Sequence, residues 1–162
     1  MITLLFYLAA AILVALTRII DRRWNFGHFT GGLVFGIYNE VCFEFCWKYS
    51  DAFGIMVWRD VPLIVILGWS IYTALALAIS GRLVTWLGSR SRWMRKALDV
   101  LLFFSIGYPI ELLMSKLGYW QYTMAIQGVE WMQMFGYFFV GLLVSCAGRS
   151  FQALIDKKSG LL

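Results

Sequence analysis

Charged residues are scarce in this sequence. They make up 14% of its 162 residues, whereas 61% are hydrophobic and the mean hydropathy is +0.75. Soluble domains usually carry about 25% charged residues, so the composition excludes an ordinary soluble domain and indicates an integral membrane protein. The length predicts a single domain. We therefore expect one polytopic transmembrane domain, placed in the cytoplasmic (inner) membrane.

Metal ligands and nucleophile motifs are also rare. His28 is the only histidine, whereas a zinc or di-iron site needs several ligands at suitable spacing. The sequence contains no G-x-S-x-G, P-loop, G-x-G-x-x-G, H-E-x-x-H or C-x-x-C motif. Cys42, Cys46 and Cys146 lie in apolar stretches and are expected to be free thiols. The sequence thus predicts neither a metal site nor a cofactor.

Five mostly apolar runs are long enough to cross a bilayer, which takes about 20 helical residues. They cover residues 2–20, 26–47, 61–79, 97–117 and 131–147. The first run lacks a basic segment before it and a small-residue cleavage site after it, so we expect a retained helix and no signal peptide. The predicted fold class is an all-α bundle of about five transmembrane helices, followed by a basic tail, residues 149–162, that forms a short helix on the membrane surface.

Basic residues fall mainly on one side of this predicted bundle. With the N-terminus outside, all but three of the 14 Lys and Arg residues lie in inner loops and the tail; the exceptions are Lys48, Arg59 and Lys116. Positively charged loops favour the cytoplasmic side, which predicts an outside N-terminus and an inside C-terminus. The net charge of +5 is then a topology and lipid-contact signal, and nucleic acid is not an expected partner.

Two predicted spans carry glutamates in their interior. Along a continuous helix rising about 1.5 Å per residue, Glu40 lies roughly 10 Å below Trp47, and Glu111 lies roughly 13 Å below Trp120. Both are too deep to reach lipid headgroups, whereas Glu44 is close enough. An ionisable residue inside a span is a functional-site hypothesis. The alternative is a structural carboxyl, kept neutral by desolvation and hydrogen-bonded to a neighbour; the candidate neighbours are Tyr38, Asn39, Tyr72, Tyr108 and Tyr137.

Another acidic residue, Asp99, has a simpler interpretation. Asp99 lies near the start of the fourth span, close to Arg95 and Lys96. We expect it to form an interfacial salt bridge.

The two glutamate-bearing segments share an order of residue types. Each has a glycine four residues before the glutamate, an exit of the form W-x-Y, a short loop and a re-entering span. The first copy runs through "GIYNE" and "WKY", and the second runs through "GYPIE" and "WQY". Both copies run in the same direction, so they are interpreted as parallel repeats about an axis along the membrane normal.

This pattern resembles the carotenoid-biosynthesis membrane family that contains hydratases of bacterioruberin-type carotenoids. The residues that carry the resemblance span roughly positions 36–140; they are Glu40, Trp47, Tyr49, Val61-Pro62-Leu63 and Gly68-Trp69, then Pro109-Ile110-Glu111, Trp120, Tyr122, Gly128-Val129 and Gly136-Tyr137-Phe138. The chain departs from the family at Glu130, where the family has proline, and it is shorter than expected.

The resemblance implies a cofactor-free enzyme that acts on a long polyene dissolved in the bilayer, by hydration or isomerisation of a C=C bond. A desolvated, protonated glutamate suits protonation of a C=C bond, and aromatic faces stabilise the resulting carbocation. We therefore expect Glu40 and Glu111 to be catalytic and to line one cavity. The expected substrate-binding residues are Tyr38, Asn39, Trp47, Trp69, Tyr108 and Trp120.

Two other function classes remain open from the residues. A small proton- or cation-coupled transporter also needs buried carboxyls on facing helices. An accessory subunit of a larger membrane complex, or a homo-oligomer, would use the aromatic surface for packing. A lipid-open apolar groove favours the enzyme, a water-accessible cavity favours the transporter, and outward-facing glutamates favour the accessory subunit.

Overall fold

The computed structural model describes residues 2–21, 25–123 and 129–158. Predictions that concern Arg22, Arg23, Gly128 and residues 159–162 lie outside this part of the chain. Its helices are α1 (Ile2–Ile20), α2 (Phe26–Cys42), α3 (Leu63–Trp86), α4 (Arg92–Lys116) and α5 (Val129–Lys158). Its short strands are β1 (Trp47–Tyr49), β2 (Met56–Trp58), β3 (Val61–Pro62) and β4 (Trp120–Tyr122).

Four of the helices, α1, α3, α4 and α5, are long and apolar enough to cross a membrane. This agrees with a helical, multi-pass membrane protein. The bounds of α1 are those predicted. The helices α3, α4 and α5 are longer than the predicted spans, because their ends continue past the apolar run into polar residues. The tail prediction was wrong, since residues 149–158 continue α5 instead of forming a separate surface helix.

The second span was predicted too long. Helix α2 ends at Cys42, a single 3₁₀ turn follows over Glu44–Cys46, and the chain then enters β1. The backbone N–H of Phe43 still donates to the Asn39 carbonyl, which closes the last helical turn. Residues 43–47 are apolar enough to look like helix in lipid, but they fold as a turn and a strand.

Helices α2, α3, α4 and α5 form a ring in which each packs mainly on two neighbours, and α1 lies outside the ring against α3. Glycine allows the closest contact, between α2 and α5. A Cβ on Gly31 would lie 2.5 Å from the Gly148 Cα, and a Cβ on Gly27 would lie 2.2 Å from the Gln152 Cα. These helices pack backbone against backbone, as small residues permit in membrane bundles.

The strands β1 and β4 tie the two halves of the chain together. They pair antiparallel, with Trp47 opposite Tyr122, Lys48 opposite Gln121 and Tyr49 opposite Trp120. The W-x-Y exits of the two predicted repeats are therefore partners in one small sheet. Because α2 leads into β1 and α4 leads into β4, both helices run toward this end of the bundle, which we call the sheet end. Each half of the chain therefore has the same order of elements: a glutamate-bearing helix, a strand of this sheet and a re-entering helix.

Candidate functional site

The Glu40 carboxyl lies at the centre of a set of hydrogen-bond donors and is only 1% exposed. Its Oε1 accepts from Trp69 Nε1 at 2.7 Å and from Asn39 Nδ2 at 3.4 Å. Its Oε2 accepts from Tyr49 OH at 2.6 Å and from Trp47 Nε1 at 3.1 Å. Of these four donors, Trp47 and Tyr49 come from the W-x-Y exit, Asn39 precedes the glutamate in α2, and Trp69 comes from the re-entering helix α3.

Glu111 is held in the same manner by the second half of the chain. Its Oε1 accepts from Trp120 Nε1 at 2.7 Å and from the Tyr122 hydroxyl. Its Oε2 accepts from Tyr137 OH at 2.9 Å. The W-x-Y exit and the re-entering helix α5 thus supply the donors here, as β1 and α3 do for Glu40.

These contacts correct the depth argument made from the sequence. On a helix continuing from Glu40, Trp47 would lie roughly 10 Å along the axis from the glutamate. Because α2 ends at Cys42, the chain turns back and brings the Trp47 indole into hydrogen-bond contact with the carboxyl. Trp120 reaches Glu111 in the same way, since α4 ends at Lys116. The tryptophans are donors to the carboxyls, not markers of distance from them.

A glycine one turn before each glutamate makes room for the donor from the re-entering helix. A Cβ on Gly36 would lie 2.7 Å from Trp69 Cβ, and a Cβ on Gly107 would lie 2.6 Å from Tyr137 Cε1. Either contact would force the aromatic ring to move. The repeated glycine therefore serves the repeated carboxyl site, by letting an aromatic side chain pass across the helix to reach it.

Both carboxyls line a cavity of about 480 Å³ between α2 and α5. Its rim toward the outside of the bundle is apolar and exposed: Tyr38 is 58% exposed, Phe139 70% and Leu143 57%. The deeper walls are aromatic, and they are formed by the donors described above together with Phe35. An opening with such a rim suits contact with lipid tails.

A second cavity of about 310 Å³ lies between α3 and α4, and α1 forms one of its walls. Glu40 and Glu111 line this cavity as well. Among the residues that the structure describes, no Lys, Arg or His lines either cavity. The carboxyls are thus surrounded by hydrogen-bond donors without a neutralising cation.

The tyrosines of the small sheet are held as neutral donors. Burial raises the pKa of Tyr49 well above its usual value, and the neighbouring Glu40 carboxyl raises it further. Burial and the Glu111 carboxyl likewise raise the pKa of Tyr122. A tyrosine hydroxyl both donates and accepts, so Tyr49 and Tyr137 accommodate the protonated form of the carboxyl beside them as well as its anion.

Of the predicted substrate-binding residues, five line the cavity between α2 and α5: Tyr38, Asn39, Trp47, Trp69 and Trp120. Tyr108 lines neither cavity; its ring packs against Phe104 and Tyr137. The expected substrate-binding residues did not include Tyr49, Tyr122 or Tyr137, although Tyr137 was a candidate hydrogen-bond neighbour of the glutamates, and it does donate to Glu111. Tyr49 and Tyr122 belong to the W-x-Y exits, so the repeat itself was the signal that pointed to them.

Two other acidic residues that the sequence singled out, Glu44 and Asp99, do not belong to this site. Glu44 is close to Arg59, with 3.3 Å between Oε1 and Nη1, in an exposed ion pair. Asp99 is 1% exposed and binds Arg149 through two contacts of 2.6 Å. The predicted partners of Asp99, Arg95 and Lys96, were therefore wrong, because α5 brings Arg149 across from another part of the chain.

The described residues contain no group of three or more His, Cys, Asp or Glu side chains arranged to hold a metal ion. The chemistry that the site offers is proton transfer. Each carboxyl is held in place, and a tyrosine hydroxyl is available to share its proton.

Comparison with known proteins does not assign the chain to a family. No family model matches it, and no curated protein or solved structure is significantly similar to it. The resemblance to carotenoid-biosynthesis proteins therefore stays a prediction from short motifs, and the site must be interpreted from its own geometry.

Proposed function

We propose that this membrane protein acts on an uncharged hydrophobic substrate, a lipid or an isoprenoid of carotenoid type, with Glu40 and Glu111 as general acid and base. The observation that carries the proposal is the position of both buried carboxyls in apolar, aromatic-walled cavities at the centre of the bundle. Removing an ionisable carboxyl from water costs free energy, and such a residue inside a membrane-spanning bundle is a functional-site hypothesis by default.

The proposed reaction begins with proton transfer from one carboxyl to a carbon of a C=C bond. The π electrons form the new C–H bond and leave a carbocation on the adjacent carbon. Loss of a neighbouring proton to the carboxylate completes an isomerisation, whereas addition of water and return of its proton to the carboxylate completes a hydration. In both cases the enzyme regains its proton.

The aromatic residues around the carboxyls would stabilise that carbocation. The rings of Tyr49 and Trp120 lie 5.9 Å apart, centroid to centroid, and those of Trp47 and Tyr122 lie 6.5 Å apart. Each ring belongs to a residue that donates a hydrogen bond to a carboxyl. A cation over an aromatic face gains about 0.5–2 kcal/mol, so the residues that position the acid would also shield the charge it creates.

The location of the carboxyls favours this function over the two alternatives. An accessory subunit would expose its functional face to a partner, but Glu40 is 1% exposed within its own chain. A proton- or cation-coupled transporter would need a polar path to the carboxyls, whereas the walls described here are mainly aromatic and aliphatic.

The test is mass spectrometry of lipid extracts from cells with and without the protein. We expect an isoprenoid or other apolar lipid to change in mass or in double-bond position only where the active protein is present. Glu40→Gln and Glu111→Gln should abolish that change at matched protein levels, and Glu44→Gln should retain it. Identical extracts with and without the protein, or full activity of both variants, would overturn the proposal.

The proposal includes an orientation in the membrane. We place the sheet end, with the N-terminus, outside and the loop between α3 and α4 in the cytoplasm, because basic residues concentrate at the latter end. In a background without the native cysteines, Lys48→Cys should react with an impermeant thiol reagent in intact cells and Arg90→Cys should not. The reverse labelling pattern would refute this orientation.

A further inference from the structure

The two cavities are lined by corresponding helices of the two halves of the chain. One lies between α2 and α5, and the other between α4 and α3, so each is flanked by the glutamate-bearing helix of one half and the re-entering helix of the other. They meet at the two carboxyls, and both are lined by the same six residues: Glu40, Tyr49, Trp69, Glu111, Trp120 and Tyr137. The carboxyl pair therefore lies between two apolar spaces.

Each cavity also contains a glycine that packing does not explain. Gly68 lines the cavity between α3 and α4, and Gly136 lines the cavity between α2 and α5. Each precedes an aromatic donor by one residue, and a Cβ added to either would meet no atom of the described residues within 4 Å. Glycine inside a helix costs about 0.5–1 kcal/mol relative to alanine. At these two positions the missing side chain leaves room in the cavity, and no close contact among the described residues requires a glycine.

The two cavities differ in what surrounds them. Helix α1 forms a wall of the cavity between α3 and α4 through Phe6, Ala9, Ala10 and Leu13. In the described part of the chain no helix occupies the equivalent place beside α5, where Phe139 is 70% exposed. A ligand dissolved in the bilayer therefore has its wider access between α2 and α5.

We infer that the two cavities are halves of one binding site, which holds a single elongated, uncharged hydrocarbon chain. The chain enters between α2 and α5, passes the two carboxyls and ends against α1. None of the described residues that line the two cavities is basic, which disfavours an anionic headgroup. The inference rests on the proposed function for its class of ligand, and it adds the path and the two subsites.

Photo-crosslinking of the purified full-length protein in detergent tests this path. The probe is a linear hydrocarbon with an alkyl diazirine at each end, and peptide mass spectrometry identifies the labelled residues. We expect single probe molecules to join an α1 peptide to an α5 peptide. If α1 and α5 peptides are each labelled but never joined, the cavities hold separate ligands and the inference fails.

Matched glycine variants show which cavity of the proposed binding site is responsible for labelling of α1 and which for labelling of α5. Gly68→Phe should reduce α1 labelling to background while leaving α5 labelling, and Gly136→Phe should reduce both, because it fills the entrance. Gly81→Phe is the control, since a Cβ at Gly81 also meets nothing within 4 Å and the residue lines neither cavity. Labelling that none of the three variants changes would show that the probe binds elsewhere.

The test separates this inference from the proposed function. Glu40→Gln should retain joined α1–α5 peptides although we expect it to be inactive. Crosslinking by this path without any change in lipid extracts would refute the enzyme and leave the binding site standing. A change in lipid extracts without joined peptides would support the enzyme and refute the path.

Discussion

Glu40→Gln and Glu111→Gln are isosteric changes, yet the donors around the two carboxyls predict unequal losses of stability. An amide keeps one acceptor oxygen and replaces the other with an NH₂ group, which only donates. The outcome depends on which neighbour must face that NH₂ group. A tyrosine hydroxyl can turn and accept, whereas a tryptophan indole N–H cannot.

At Glu40 each carboxyl oxygen faces a tryptophan. Oε1 accepts from Trp69 at 2.7 Å, and Oε2 accepts from Trp47 at 3.1 Å. Whichever way the new amide of Glu40→Gln points, one indole N–H is left facing another donor. A buried donor without a partner costs about 1–3 kcal/mol, so we expect Glu40→Gln to lower the free energy of unfolding by about that amount.

At Glu111 only one carboxyl oxygen faces a tryptophan. Oε1 accepts from Trp120, and the partner of Oε2 is the Tyr137 hydroxyl at 2.9 Å. An amide with its NH₂ group toward Tyr137 keeps all of these contacts, because that hydroxyl accepts instead of donating. We therefore expect Glu111→Gln to change the free energy of unfolding by less than about 1 kcal/mol.

Thermal unfolding in detergent measures this difference in stability between the two variants. It is monitored through the loss of the monodisperse protein peak. For a chain of this size about 1 kcal/mol corresponds to about 2–4 °C, so Glu40→Gln should unfold about 2–12 °C below the wild type. Glu44→Gln is the matched control, since its ion pair with Arg59 is exposed and worth about 0–1 kcal/mol.

A double variant tests the cause. Trp69→Phe removes the indole N–H, so in Glu40→Gln/Trp69→Phe the amide no longer opposes that donor. The two substitutions together should cost less than the sum of their separate effects. If Glu111→Gln is destabilised as much as Glu40→Gln, or if the effects of the two substitutions in the double variant simply add, the opposed indole N–H is not the cause of the loss.

Three other stability measurements check particular contacts. Asp99→Ala should cost about 3–5 kcal/mol because it leaves the Arg149 guanidinium unpaired, and Asp99→Ala/Arg149→Met should recover part of that loss; full stability of the single variant would contradict this. Gly36→Ala should lower the melting temperature by forcing an indole ring to move, whereas Gly68→Ala, with an open Cβ position, should raise it. Burial raises the pKa of Tyr49 above its ordinary value of 10.0, so the folded state keeps a proton that the unfolded chain loses. Stability should therefore fall as pH rises above about 10, and Tyr49→Phe should make that fall shallower in pH-dependent melts.

The hydropathy of the sequence was enough to locate the long apolar helices of this protein. The apolar run of α1 ends where polar residues begin, and its bounds were correct because solvation alone sets them. The same rule was wrong for α2. Residues 43–47 are mostly apolar, but they leave the helix to place Trp47 and Tyr49 on the carboxyl of Glu40. A prediction from hydropathy does not count the hydrogen bonds that Trp47 and Tyr49 form with Glu40 once the chain leaves the helix.

The sequence also identified the two carboxyls, because glutamates are rare inside apolar spans and these two follow the same local pattern. It did not identify their complete set of partners. Trp69 is 29 residues from Glu40 and Tyr137 is 26 residues from Glu111, and they meet only because α3 packs on α2 and α5 packs on α4. Local patterns show which polar groups must find a partner. Helix packing decides which partner is within reach, and in this chain it also decides that both carboxyls line the same two cavities.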